Sequence, residues 1–234
     1  MRKIDYAIGA ARLFIHHLHQ DGIDRGMIAT FGNTFRVEQR FTSTEVYLHN
    51  ALATLPSTVV NAVNKNQGES TRLYDSMEDV INHFWDERLG AARNRPWLLT
   101  IITDGQDNLS TRYPHKDSLS PARIGQCIAQ RFNHEPSNYP FLIGVGEGQY
   151  IDKQALATIG AYGRFPAVTI EAFPLLELMF LEIAINVSEQ VSGVTIRQGS
   201  RSWQEVSRIR QTTRIPIDYA FLIDRSGSMS ETGG

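Results

Sequence analysis

The chain has 234 residues, is 41% hydrophobic and carries a formal net charge of −2. That length and apolar content suit one α/β unit with a sizeable core, and the charge predicts no general attraction to nucleic acid or anionic membrane. The single cysteine, Cys127, excludes an internal disulfide framework and a cysteine zinc cluster, and the lack of a transmembrane-length run or signal-peptide apolar region makes a soluble, cytoplasmic protein the expectation.

Lys3 to Gln20 reads as a helix, because Ile4, Ile8, Ala11, Ile15 and Leu18 recur at steps of four and three. His16, His17 and His19 near its end suit the negative pole of a helix better than a metal. Met27 to Phe31 and Thr34 to Thr42 read as two strands of a hairpin, the second alternating and so at a sheet edge. Glu45 to Leu55 reads as a short helix stopped by Pro56, and Ser57 to Gln67 has no clear pattern. A turn at Gly68-Glu69-Ser70-Thr71 leads into a helix whose apolar face is Leu73, Met77, Val80 and Phe84. Trp97 to Thr103 is the strongest buried-strand signal, and Asp104-Gly105-Gln106-Asp107-Asn108 follows it.

After a polar loop, Ser120-Pro121 opens a helix that runs to about Asn133. Cys127 on it, among Ile124, Ile128 and Ala129, reads as a small core residue. Tyr139 to Val145 reads as a buried strand ending in Gly144-Val145-Gly146-Glu147-Gly148. A dinucleotide fingerprint there would need a third glycine where Gln149 stands. Asp152 to Ile159 reads as a helix, Phe165 to Ile170 as a strand, and Pro174 to Gln190 as an apolar helix. Ser192 to Arg214 carries Arg197, Arg201, Arg208, Arg210 and Arg214 around Trp203. Such a stretch suits RNA or an acidic partner, and more economically a connector folded across the surface.

The chain ends on an apolar run, Ile217 to Ile223, which suits a strand covered on both faces of a parallel sheet. It stops at Asp224-Arg225-Ser226-Gly227-Ser228-Met229. A carboxylate and two hydroxyls at the carboxyl end of a strand offer hard oxygens, which suit Mg²⁺, Mn²⁺ or Ca²⁺ rather than zinc. Alternating helices and strands predict an α/β fold: a doubly wound, mostly parallel sheet with one antiparallel edge strand and helices on both faces.

Asp224-x-Ser226-x-Ser228 resembles the metal-ion-dependent adhesion site of von Willebrand factor A domains, a Rossmann-like family. In that family the motif follows the first strand. Here it lies at the far end, so the resemblance implies a circular permutation: one domain over 1–234, with helix 1 to the last helix in 1–190, a connector in 191–215, and the first strand and metal loop in 216–234. Joining Gly234 to Met1 restores the family's strand, loop and first helix without a gap. A natural permutation, an engineered one and a cut from a tandem array all fit, the last implying a domain-swapped oligomer rather than a monomer. Ile217 to Ile223 should then lie between the Met27 and Trp97 strands.

The resemblance also implies a site. Thr71 matches the family's threonine before the second long helix and Asp104 its remaining acid, giving Thr71, Asp104, Asp224, Ser226 and Ser228 around one Mg²⁺, or Mn²⁺ or Ca²⁺. In the family a protein partner's Asp or Glu carboxylate takes an open position on the metal, with no bond broken. Two enzyme readings compete: Mg²⁺-dependent phosphotransfer through Asp224, and hydrolysis with Ser226 as nucleophile. The first lacks a clear phosphate-binding lysine or glycine loop. The second lacks Gly-x-Ser-x-Gly, because Asp224 and Ser228 occupy the glycine positions. Arg72, Arg112 and Arg225 are candidates for a cationic rim.

Overall fold

The computed structural model describes residues 1–64, 70–87, 95–132, 138–145, 151–163 and 167–232. The glycine turn at Gly68 and the Gly146-Glu147-Gly148 run lie outside the described residues, as do Gly233 and Gly234.

Six strands form one sheet: β1 (Arg25–Phe31), β2 (Arg36–Thr42), β3 (Trp97–Thr103), β4 (Asn138–Val145), β5 (Ala167–Ile170) and β6 (Asp218–Asp224). Their order is β2-β1-β6-β3-β4-β5. β1 and β2 pair antiparallel at one edge, and the other pairs are parallel. The expected α/β fold, doubly wound and mostly parallel with one antiparallel edge strand, is the one observed. β6 lies between β1 and β3, as its apolar run and the cyclic join together predict, with Phe221 opposite both Ile28 and Thr100.

The pleat of β6 divides the core. Tyr219, Phe221 and Ile223 face α1 (Lys3–Leu18), α2 (Glu45–Asn64), α6 (Leu176–Ser192) and α7 (Trp203–Thr213). Ala220 and Leu222 face α3 (Leu73–Asp86), α4 (Ser120–Phe132) and α5 (Lys153–Gly163). Large aromatics sit against helices on one side and small or aliphatic residues on the other. Phe14 of α1 packs edge-on against Tyr219 and Phe221, at 5.6 and 5.4 Å between ring centroids. Cys127 is only half-buried, on the side of α4 near Glu78.

Two expectations fail. α2 does not stop at Leu55 but continues through Pro56 to Asn64. A proline inside a helix removes one backbone donor and strains the preceding turn. Thr54 Oγ1 donates to Ala51 O at 2.8 Å and Ser57 Oγ to Thr54 O at 2.7 Å, local contacts on either side of the proline that do not replace the amide lost to Leu52 O. Leu48, Leu52 and Leu55 meanwhile anchor the first half in the core.

The connector is also more ordered than its arginines suggest. Within it, Trp203–Thr213 forms α7, with Ser202 as N-cap accepting from the Glu205 amide. Trp203, Val206 and Ile209 recur at steps of three and enter the core. Three of the five arginines are engaged internally, Arg201 with Glu182, Arg208 with Glu205 and Arg210 with Asp24, while Arg197 and Arg214 are exposed. The histidines of α1 turn to separate partners as well. His17 stacks on Trp203, and His19 Nδ1 meets the Tyr219 hydroxyl at 2.9 Å.

The Arg210–Asp24 pair ties the connector to the root of β6. Arg210 Nη2 donates to both Asp24 oxygens at 2.7 and 2.8 Å, and Arg210 Nη1 to Ile215 O at 2.9 Å. Asp24 Oδ1 also accepts from the Ile217 amide at 2.9 Å. Both side chains are buried. Removing one member leaves the other charge stranded, which costs about 3–5 kcal/mol. Arg210→Ala is expected to lower unfolding free energy by about that amount in urea melts, and Arg210→Ala with Asp24→Asn by less than the sum of the single changes. Additive losses would show that the pair does not act as a unit.

Candidate functional site

Starting the strand count at β6 and following the chain onward cyclically, the spatial order reads 3-2-1-4-5-6. In such a sheet the chain winds outward from the centre in both directions, and a crevice opens at the carboxyl ends of the two strands where it reverses. Those strands are β6, which ends in Asp224, and β3, which Asp104 follows.

The β6 loop is shaped by its own polar groups. The Ser226 amide donates to Asp224 Oδ1 at 2.8 Å, which turns the chain as the strand ends. A short 3-10 turn, Gly227–Ser230, follows, and the fully buried Met229 pins it into the core beneath α1 and α2. Ser226 and Ser228 are thereby brought together, their hydroxyl oxygens 2.9 Å apart. Ser228 Oγ donates in turn to Asp104 Oδ1 at 2.9 Å.

Thr71 enters from the loop before α3. Its amide donates to Asn108 Oδ1 at 2.7 Å, and its carbonyl accepts from the Asn108 amide at 2.9 Å. The next amide, of Arg72, donates to Gly32 O at 2.9 Å, so loops after β1 and β3 both hold this turn. Gly105 lies directly under the threonine: a Cβ there would stand 3.5 Å from Thr71 Oγ1. Asp224, Ser226, Ser228 and Asp104 are thus linked, and the Thr71 hydroxyl sits beside the residue that follows Asp104.

Asp107 and Asn108, which follow Asp104 in sequence, act as buttresses. Asp107 accepts from the Tyr74 amide at 3.2 Å in the first turn of α3, and from Ser110 Oγ at 2.5 Å. Asp75 holds the loop beyond, accepting amides of Thr111, Arg112 and Tyr113. Burial alone would raise the Asp75 pKa, but these amides and Arg72 outweigh it and lower it.

Two contacts escape the sequence reading. Thr103 Oγ1, on the last residue of β3, donates to Asp224 Oδ2 at 2.9 Å. Lys3 Nζ, in the first turn of α1, donates to Asp104 Oδ2 at 2.9 Å and to Glu231 at 3.1 Å. The signal for Thr103 was its place at the end of β3, level with the metal loop. For Lys3 it was the cyclic join, which sets α1 immediately after that loop.

The three arginines expected at a rim are already paired. Arg72 bridges to Asp75, and Arg112 to Asp75, Glu78 and Asp79. Arg225 is buried, and its Nη2 donates to Thr34 Oγ1 at 2.8 Å.

Electrostatically the centre is strained. Asp224 is fully buried, and its direct hydrogen-bond donors, the Ser226 amide and the Thr103 hydroxyl, are neutral. Burial first, and the Asp104 charge second, push its carboxyl well above the ordinary carboxylate range. Among the described residues no group of three or more His, Cys, Asp and Glu stands ready for a metal ion. A donor set of two acids and three hydroxyls is not of that kind. Its hard oxygens match Mg²⁺, Mn²⁺ or Ca²⁺, and its crowded negative charge would be relieved by a cation.

No protein-family model, curated protein or solved structure matches the chain. Among the described residues no helix is long and apolar enough to cross a membrane.

The raised Asp224 pKa has a thermodynamic sign. The folded carboxyl holds its proton to higher pH than the unfolded one, so folding stability falls as pH rises through that window. Asp224→Asn keeps the shape, and its amide can face Thr103 Oγ1. In EDTA at pH 8 it is expected to stabilise the protein by about 1–3 kcal/mol, and the gain should vanish toward pH 4. Urea melts at the two pH values test this. A variant no more stable than the parent at pH 8 would show that burial and the Asp104 charge do not hold the folded Asp224 carboxyl above its unfolded value.

Proposed function

We propose that the chain is a metal-ion-dependent protein-binding module, in which Thr71, Asp104, Asp224, Ser226 and Ser228 hold one divalent cation that bridges to a partner's Asp or Glu carboxylate. The observation that carries this reading is the desolvated Asp224 beside Asp104 at the switch-point crevice, joined through the Ser226 and Ser228 hydroxyls. The cation would supply positive charge and an open coordination position. The chain's own residues supply the frame. Thr103 and the Ser226 amide orient the Asp224 carboxylate, Asn108 orients Thr71, and Met229 seats the serine loop. On this reading the chain is a permuted von Willebrand factor A domain, which places its adhesion motif on a central strand of the same sheet. β6 pairs with β1 and β3 of its own chain.

The hydrolase reading is less well supported. A serine nucleophile needs a base within hydrogen-bond reach. The Ser226 hydroxyl meets Ser228 instead of an imidazole. A phosphotransfer centre would need groups to cradle phosphate. The lysine at this centre, Lys3, is engaged with Asp104 and Glu231.

Titration calorimetry with Mg²⁺ and Mn²⁺ tests the metal, with one site expected per chain and Asp224→Ala binding at least tenfold more weakly. A pull-down from native extract with Mg²⁺ or EDTA tests the partner. The expected partner is lost in EDTA, and changing one of its acids to the matching amide abolishes binding. Equal metal binding by Asp224→Ala, or capture indifferent to EDTA and to every single acid, would overturn the reading.

A further inference from the structure

Lys3 stands where the centre's charge is least compensated. The Asp104 side chain is 1% exposed, and both its oxygens are engaged: Oδ1 by the Ser228 hydroxyl and Oδ2 by Lys3 Nζ. Lys3 is the cation in direct contact with the linked Asp224, Ser226, Ser228 and Asp104 groups. Burial works against its ammonium, but Asp104 and Glu231 outweigh burial and hold its pKa above the ordinary lysine value. The contact follows from how the chain ends meet. The Lys3 amide donates to Glu231 O at 2.9 Å, and Arg2 bridges antiparallel to Thr232, which brings the first turn of α1 against the serine loop.

We propose that Lys3 is a tethered counter-ion that competes with the divalent cation for Asp104 and so sets the affinity of the centre. The proposal rests on the reading of the site as a metal centre. An ammonium and a divalent cation on one carboxylate repel each other, so loading the metal requires Lys3 to leave Asp104. Lysine suits that task. It is a point charge on a flexible four-carbon stem, whereas a guanidinium locks onto a carboxylate as a planar fork.

The ammonium also has somewhere to go. Glu231 Oε2 lies 3.1 Å from the same Nζ, and its side chain is 67% exposed and free to follow. The Phe173 ring lies 5.9 Å from Nζ and offers a second soft contact. The Lys3–Glu231 pair can therefore persist at the rim once Asp104 is released.

The test is titration calorimetry of the full chain with Mn²⁺ and Mg²⁺ at one pH, comparing the parent with Lys3→Met, Lys3→Arg and Glu231→Gln. Lys3→Met is expected to bind metal roughly tenfold more tightly, the effect of one nearby charge in a partly screened site. Lys3→Arg should bind no more tightly than the parent, because the competing charge remains. Glu231→Gln should bind a few-fold more weakly, because the displaced ammonium loses its second anchor. Lys3→Met binding equal to or weaker than the parent overturns the proposal while leaving the metal centre intact. No binding by any form, Lys3→Met included, overturns both. Acetylation of the parent protein gives a measurement that needs no variant. Labelling of Lys3, read by peptide mass spectrometry, should be several-fold faster in saturating Mg²⁺ than in EDTA. Unchanged labelling in a protein that binds metal would show that Lys3 does not move off Asp104.

Discussion

Strand β6 is buried along its whole length, paired on both sides and covered on both faces, and an acid stands at each end. A buried carboxylate is costly unless charge or hydrogen bonds compensate it. At the amino end Asp218 is met by two guanidiniums, Arg25 at 2.5 Å and Arg95 at 3.4 Å. At the carboxyl end Asp224 is met by an amide and a hydroxyl, with a second carboxylate as its electrostatic neighbour. The same residue type on the same strand is thus neutralised at one end and left short of positive charge at the other. Asp24 belongs with Asp218, because Arg210 answers it in full. The contrast separates acids that guanidiniums neutralise from an acid met by neutral donors alone.

The frame around Asp224 is rigid before any ligand arrives. Each of the loops that meet there is tied to another through backbone groups. The turn before α3 bonds to Gly32 after β1 and to Asn108 after β3, and Arg225 after β6 donates its amide to Phe31 O at 2.7 Å. Asp107 and Asp75 then lock the β3 loop onto the first turn of α3. Side chains held by such contacts spend little conformational entropy on binding, which is how a weakly charged donor set becomes an effective site.

Much of this was legible in the chain because it rests on pattern. A nearly continuous apolar run, Ile217 to Ile223 interrupted only by Asp218 and stopped by Asp224, reads as a central strand whether it stands first or last, and Trp97 to Thr103 reads the same way. Thr71, Asp104 and Asp224 could be placed at one sheet edge because each follows a strand or opens a helix. What was illegible depends on partners distant in sequence. Arg201, Arg208 and Arg210 look like part of a basic patch until their acids are known, and α7 hid behind them because its apolar positions, Trp203, Val206 and Ile209, are few. Pro56 read as a helix stop because the burial of the Leu48–Leu52–Leu55 stripe that carries the helix past it is a tertiary fact. Lys3 carries no motif at all. Its place beside Asp104 comes from the meeting of Arg2 and Thr232.

The charge balance of the centre bears on what would bind there. Asp104 and Asp224 carry two negative charges when ionised, and one divalent cation would cancel them. Lys3 would then be left over beside a neutralised site, held near it by Glu231, a residue exposed enough to be exchanged for another acid. On the proposed reading an anionic ligand would be favoured twice, once through the hard-oxygen preference of the metal and once through the lysine beside it. A neutral ester would satisfy neither. A phosphate would satisfy both, but the Ser226 amide at the turn after β6 is already spent on Asp224 and would not be available to it. On the proposed reading a partner's Asp or Glu would match the charge left over and would need no further donor from the chain.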